Sequence, residues 1–106
     1  MATHITQENH EKLVKKSDKP VIIDAYASWC GPCVQMEPTF QALEKEMGNL
    51  YNFVKLNVDD ARDLAIEYGI TSVPTFVFIK NGSVKAKETG YMAKADLEAK
   101  IKKHLG

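Results

Sequence analysis

Apolar positions follow two rhythms along this chain. In VIIDAYA (21–27) they stand at both parities, as on a short strand covered on both faces. From Cys33 onward Met36, Phe40, Leu43 and Met47 step by 4, 3 and 4, which marks one face of a helix that Gly48 stops. Pro38 lies inside that helix and is expected to kink it. Residues 6–16 read as a mostly solvated helix, with Thr6 as N-cap and Glu8 and Asn9 in the first turn. SDKP (17–20) is a turn signal. YNFVKLNV (51–58) reads as a second strand, followed by a helix capped by Asp59 or Asp60 that runs to about Tyr68 and ends at Gly69. TFVFIK and SVKAKET flank Asn81-Gly82, a strong hairpin signal, so these strands are expected to be antiparallel. Leu97, Ile101 and Leu105 form one stripe on a closing helix from Ala93 to Leu105.

The order is α, β, α, β, α, β, β, α. The β-α-β unit over 21–58 is expected to make a right-handed crossover between parallel strands. The hairpin then adds antiparallel strands, which predicts an α/β fold with a mixed sheet and helices on both faces. There is no internal repeat, low-complexity segment or Gly/Ser linker, so residues 1–106 are expected to form one domain. Lys+Arg and Asp+Glu balance at 14 each, which gives no general attraction to nucleic acid or an anionic membrane. No apolar run approaches the roughly 18 to 20 residues of a membrane span. The first residues, MATHITQENHEKLVKK, are polar and lack the apolar core of a signal peptide. A soluble, intracellular protein is the default expectation.

The chain has two cysteines and places both within four residues, Cys30 and Cys33. In a reducing compartment such a pair is more often catalytic or metal-binding than a permanent brace. A 30–33 bridge would also close a very small loop, so its entropic benefit to the fold would be slight. The strand before it and the helix after it put Cys30 at a helix N-terminus, where unpaired N–H groups and the dipole favour negative charge. Its thiol is therefore expected to be more acidic than a free cysteine, at about 8.5. Cys33, one turn further in, is expected to be more enclosed. The asymmetry gives an attacking thiolate at Cys30 and a resolving thiol at Cys33, working through a mixed disulfide. Gly31 permits close approach of a substrate backbone, and Pro32 fixes φ in the first turn without wasting an N–H.

The competing use is zinc, but Cys30 and Cys33 supply two ligands where a structural site takes four. His4, His10 and His104 lie in polar terminal segments without metal-ligand spacing and read as solvated surface residues. Trp29 reads both as a half-buried anchor and as apolar cover beside the sulfurs. Asp24, on one parity with Ile22 and Tyr26, would be a buried carboxyl group able to exchange protons near neutral pH. The alternative is an ordinary exposed acid on a wet face of the strand. Lys55 in the neighbouring strand either stabilises the ionised Asp24 or snorkels to solvent. Pro74 in SVPTF opens a strand, where it costs no central ladder bond, and the isomer of Val73–Pro74 is not legible.

Together these residues resemble the thioredoxin family over nearly the whole chain. Trp29-Cys30-Gly31-Pro32-Cys33 matches its active-site motif, and Pro38 its helix-kinking proline. Asp24 matches its buried acid, and VKLNVDD places Lys55 on the neighbouring lysine. YGITSVPTFVFIKNG resembles the segment carrying a cis-proline that faces the cysteines, which implicates Val73 and Pro74 in substrate binding beside Trp29. Gly90 matches a glycine lining the substrate groove. The resemblance implies a cytoplasmic, monomeric protein-disulfide reductase that acts on oxidised client proteins. Electrons would come from NADPH through a separate thioredoxin reductase, with no cofactor bound to this chain. The absence of a nucleotide-binding glycine motif fits borrowed electrons. Ala25 and Tyr26 stand where bulkier aromatics are common, and Val34 where a basic residue is frequent. Tyr91 follows Gly90 where a small residue is usual and is expected to narrow the groove, and Ala93 replaces a capping hydroxyl. Two other readings use the same residues: a disulfide oxidant or isomerase of higher potential, and a binding module whose thiols are incidental.

Overall fold

The computed structural model describes residues 2–106. Among these, five strands form one sheet: β1 Thr3–His4, β2 Val21–Tyr26, β3 Asn52–Asn57, β4 Thr75–Lys80 and β5 Ser83–Thr89. Their spatial order is β1-β3-β2-β4-β5. β2 is parallel to β3, with Asp24 opposite Lys55, and antiparallel to β4, with Asp24 opposite Phe76. β4 and β5 form the expected hairpin, turning at Asn81 and Gly82, whose φ angles of 54° and 78° suit the tight turn that Asn-Gly favours. Three α-helices accompany the sheet: α1 Gly31–Met47, α2 Arg62–Glu67 and α3 Lys94–Leu105.

The alternation of strand side chains divides the core into two layers. Ile22, Phe53, Phe76 and Phe78 pack with Met36, Phe40, Leu43 and Met47 of α1 and Leu97, Ile101 and Leu105 of α3. Val21, Ile23, Ala25, Val54, Leu56, Val77 and Ile79 pack the opposite face against Ile5, Val14, Leu64 and Ala65. The mixed sheet covered by helices on both faces is the architecture the pattern predicts. α1 continues through Pro38 and ends at Gly48, whose N–H reaches the Glu44 carbonyl at 2.8 Å.

Three expectations need correction. Residues 6–16 do not form a regular α-helix. Thr6 and Asn9 exchange side-chain and backbone hydrogen bonds of 2.7 and 3.4 Å around a turn, and a short π-helix, Glu11–Lys15, follows. The segment has no sustained apolar repeat to hold the α register, and its inward anchors are His10 and Val14. β1, which precedes it, is two residues long and carries no periodic signal.

Neither Asp59 nor Asp60 caps α2. The N-cap is Ala61, with no side-chain hydrogen bond, because the Asn57 side chain turns the chain first. Asn57 Oδ1 accepts the N–H groups of Asp59 and Asp60 at 2.9 and 3.3 Å. Of the histidines, His4 is the exposed surface residue expected, and the other two are not simply solvated. His10 is buried, edge-on to the Tyr68 ring and hydrogen-bonded to its hydroxyl. His4 Nε2 lies 2.6 Å from the Tyr26 hydroxyl, and His104 Nε2 lies 2.9 Å from Glu88.

Candidate active site

β2 delivers the chain to a short turn in which the Cys30 N–H reaches the Ala27 carbonyl at 3.2 Å. Cys30 is the N-cap of α1, with extended backbone (φ −90°, ψ 111°), and its Sγ accepts the Cys33 N–H at 3.2 Å. A sulfur in the N-cap role thus takes one of the donors that a helix start leaves unpaired. Cys30 and Cys33 are joined by a disulfide. Both are buried, with Cys30 6% exposed and Cys33 2%. Tyr26, Val58 and Val73 pack around this pair and Ala27.

Val73–Pro74 is cis, and the Val73 carbonyl oxygen lies 3.8 Å from Cys30 Sγ. The Gly90 N–H reaches the Pro74 carbonyl at 2.9 Å, which brings the end of the β4–β5 hairpin to the same rim. Gly90 has φ +106°, a conformation that L side chains rarely adopt. A Cβ at Gly31 would meet no heavy atom within 4 Å. That position is open to an approaching molecule.

Trp29 is 72% exposed, so the half-buried anchor is overturned. Its Nε1–H donates to Asp59 Oδ2 at 2.9 Å, which fixes the indole on the surface. A shallow groove beside it is lined by Val58, Ile70, Thr71, Ser72 and Val73. Val58 and Ile70 carry no signal of this in the sequence, where Val58 reads as the end of the second strand and Ile70 as one more apolar residue after Gly69. Val34 and Tyr91 are exposed.

Asp24 lies under the same layer as α1 and is 1% exposed. Neither of its carboxylate oxygens has a hydrogen-bond partner. Burial pushes its carboxyl up from 3.8 to about 6, against a smaller downward pull from Lys55. The exposed-acid alternative does not describe this residue. Lys55 does not snorkel: its side chain is buried, and burial pulls its ammonium below the usual lysine value while Asp24 pulls the other way. The ammonium sits 4.4 Å from the centroid of the Tyr26 ring. Its ion-pair partner is Glu37 of α1.

Sequence reasoning missed Glu37. Its spacing of four residues from Cys33 puts both on one side of α1, but nothing local points to a lysine on the next strand.

Among the described residues no group of three or more His, Cys, Asp or Glu could hold a metal ion, and no helix is long and apolar enough to cross a membrane. The family model described as Thioredoxin matches residues 1–103. A thioredoxin of Haemophilus influenzae is 37% identical over 102 residues, covering 96% of this chain and 95% of the relative. A thioredoxin of Rickettsia felis is 36% identical across 99% of this chain and its own entire length. Thioredoxin H4 of Arabidopsis thaliana is 46% identical over 92 residues, covering 87% of this chain and 76% of the relative. Similarity of this extent, over a chain whose two cysteines already form a disulfide at a helix start, shows that the protein belongs to the thioredoxin family and is a thiol–disulfide oxidoreductase.

Proposed function

We propose that the protein reduces disulfides in client proteins through a Cys30/Cys33 cycle. The observation that carries this reading is the Cys30 sulfur at the N-cap of α1, accepting the Cys33 N–H. Reduced Cys30 in that place is stabilised as a thiolate by the helix start. The thiolate attacks one client sulfur, a Cys30–client disulfide forms, and the first client thiolate leaves. Cys33, losing its proton to the carboxylate of Asp24, then attacks Cys30 Sγ. The second client thiolate departs, the Cys30–Cys33 disulfide closes, and two electrons have passed to the client.

Asp24 suits the proton transfer because its carboxyl titrates near neutrality, and Lys55 modulates it. Gly31 and Pro32 tune the redox behaviour of the pair. Trp29, Val73, Pro74 and Gly90 receive the client backbone. The whole chain works as one domain, as a cytoplasmic monomer, and is returned to the dithiol by NADPH through a separate thioredoxin reductase.

The test is reduction of insulin disulfides with NADPH and a thioredoxin reductase, followed as NADPH consumption. Turnover is expected for the wild type and none for Cys30→Ser. Cys33→Ser is expected to accumulate clients as mixed disulfides on Cys30, seen on non-reducing gels and by mass. Absence of these adducts would defeat the two-thiol cycle.

A further inference from the structure

Asp24 and Lys55 face each other across the β2–β3 register, yet the Lys55 ammonium is bound by Glu37 on α1. The Asp24 oxygens are left without a hydrogen-bond partner. One cation thus stands between two carboxylates. The partly exposed one, on the helix that carries both cysteines, holds it, and the buried one does not. We infer that Glu37 is a positioning residue of the redox site: by engaging Lys55 it withholds the ammonium from Asp24 and so sets the pH at which Asp24 exchanges its proton. The inference rests on the proton-transfer role proposed for Asp24 only as far as its consequence for rate is concerned.

The physical reasons are local. Glu37 follows Cys33 by four residues and shares its side of α1, so its carboxylate projects from the helix toward the edge of β3. Lys55 is held there from a second side by the Tyr26 ring. An ammonium that makes an ion pair with Glu37 and a ring contact with Tyr26 has fewer ways to turn inward. Asp24 feels it as a field and not as a bonded partner. The charged and titratable groups around this cluster are Lys55 from β3, Asp60 from the loop after β3, Tyr26 from β2, Glu37 and the two cysteines of the α1 turn, and His4 from β1. β4 offers Phe76, which is apolar. Only Lys55 among them brings a permanent positive charge. Burial holding the Asp24 carboxyl near 6 agrees with a cation that is close but committed elsewhere.

The experiment follows the Asp24 carboxyl carbon by NMR through a pH titration of the oxidised, folded protein. In Glu37→Gln the ammonium is released, and the Asp24 midpoint is expected to fall by about one pH unit. In Lys55→Met the midpoint is expected to rise, and adding Glu37→Gln to that variant is expected to leave it within about 0.3 unit. Lys55→Gln serves the same purpose should the methionine variant not fold. A midpoint that does not move in Glu37→Gln overturns the inference. So does a shift of equal size with and without Lys55, because Glu37 would then act by its own charge alone. The acid limb of the insulin-reduction pH profile is expected to follow the NMR midpoint in Glu37→Gln. A midpoint that moves under an unmoved rate profile leaves the Glu37 inference standing and defeats the proton-transfer role of Asp24.

Discussion

A carboxyl group shut away from water with no donor destabilises the fold whenever it is ionised, and Asp24 is in that position. The sign follows from its titration. Its folded value of about 6 lies above the ordinary 3.8, so the folded state holds the proton more tightly. The penalty is complete above about pH 6 and disappears as pH falls toward 3.8. The rise corresponds to about 3 kcal/mol at most. Asp24→Asn is therefore expected to be more stable than the wild type at pH 8, by up to about 3 kcal/mol, with the gap closing below pH 4. Urea denaturation at the two pH values measures it, and a gap that does not depend on pH would show that Asp24 binds its proton no more tightly in the fold than in the unfolded chain. This residue was legible in the sequence, because an acid that follows two isoleucines on a short apolar strand has little access to water. Glu37 was not, because its meaning lies in Lys55, eighteen residues away on another element. His10 was misread for the same reason: its partner Tyr68 is fifty-eight residues distant.

Elements with a sustained rhythm were read closely from the sequence. β2, α1, the hairpin and α3 each carry several apolar positions at one period, and each stands within a few residues of where that period puts it. The N-terminal segment and the start of α2 are decided instead by single side-chain bonds, Thr6 with Asn9 and Asn57 with the next two aspartates. Local hydrogen bonds of that kind compete with helix caps without altering the hydrophobic pattern. The start of α3 shows the converse. Ala93 has the extended backbone of an N-cap (φ −66°, ψ 157°) but no side-chain oxygen to accept a helix N–H, and it is exposed. Ala93→Ser is expected to stabilise the protein by about 1 kcal/mol, seen as a higher urea midpoint with an unchanged slope. Insulin reduction is expected to be unaffected. An unchanged midpoint would mean that the first turn of α3 is already satisfied by water.

At the scale of the molecule, the redox turn is one rim of a sheet whose two faces are packed independently, and the N-terminal segment closes the face opposite α1. That closure is made by Ile5 and Val14 in the apolar layer and by His10 against Tyr68. His10 is the polar member of the joint. Burial lowers its affinity for a proton below the ordinary histidine value, Lys15 adds to this, and Glu67 and Glu11 oppose it. A histidine depressed in the folded state contributes stability above the unfolded value of about 6.5 and loses it as pH falls through the lower folded value. This runs against Asp24, which destabilises most at high pH, so the two linkages partly cancel in the wild type. Tyr68, pushed up to about 12 chiefly by burial, stays neutral throughout and takes no part in the pH dependence. His10→Leu is expected to cost about 1–2 kcal/mol at pH 7.5, through the lost hydrogen bond and the unpaired Tyr68 hydroxyl. Between pH 7 and 5 the deficit is expected to shrink, because the wild type must charge a buried imidazole and the variant need not. Urea midpoints at half-unit steps of pH follow this directly. A deficit that stays constant across that interval would show that His10 takes up its proton as readily in the folded molecule as in the unfolded chain.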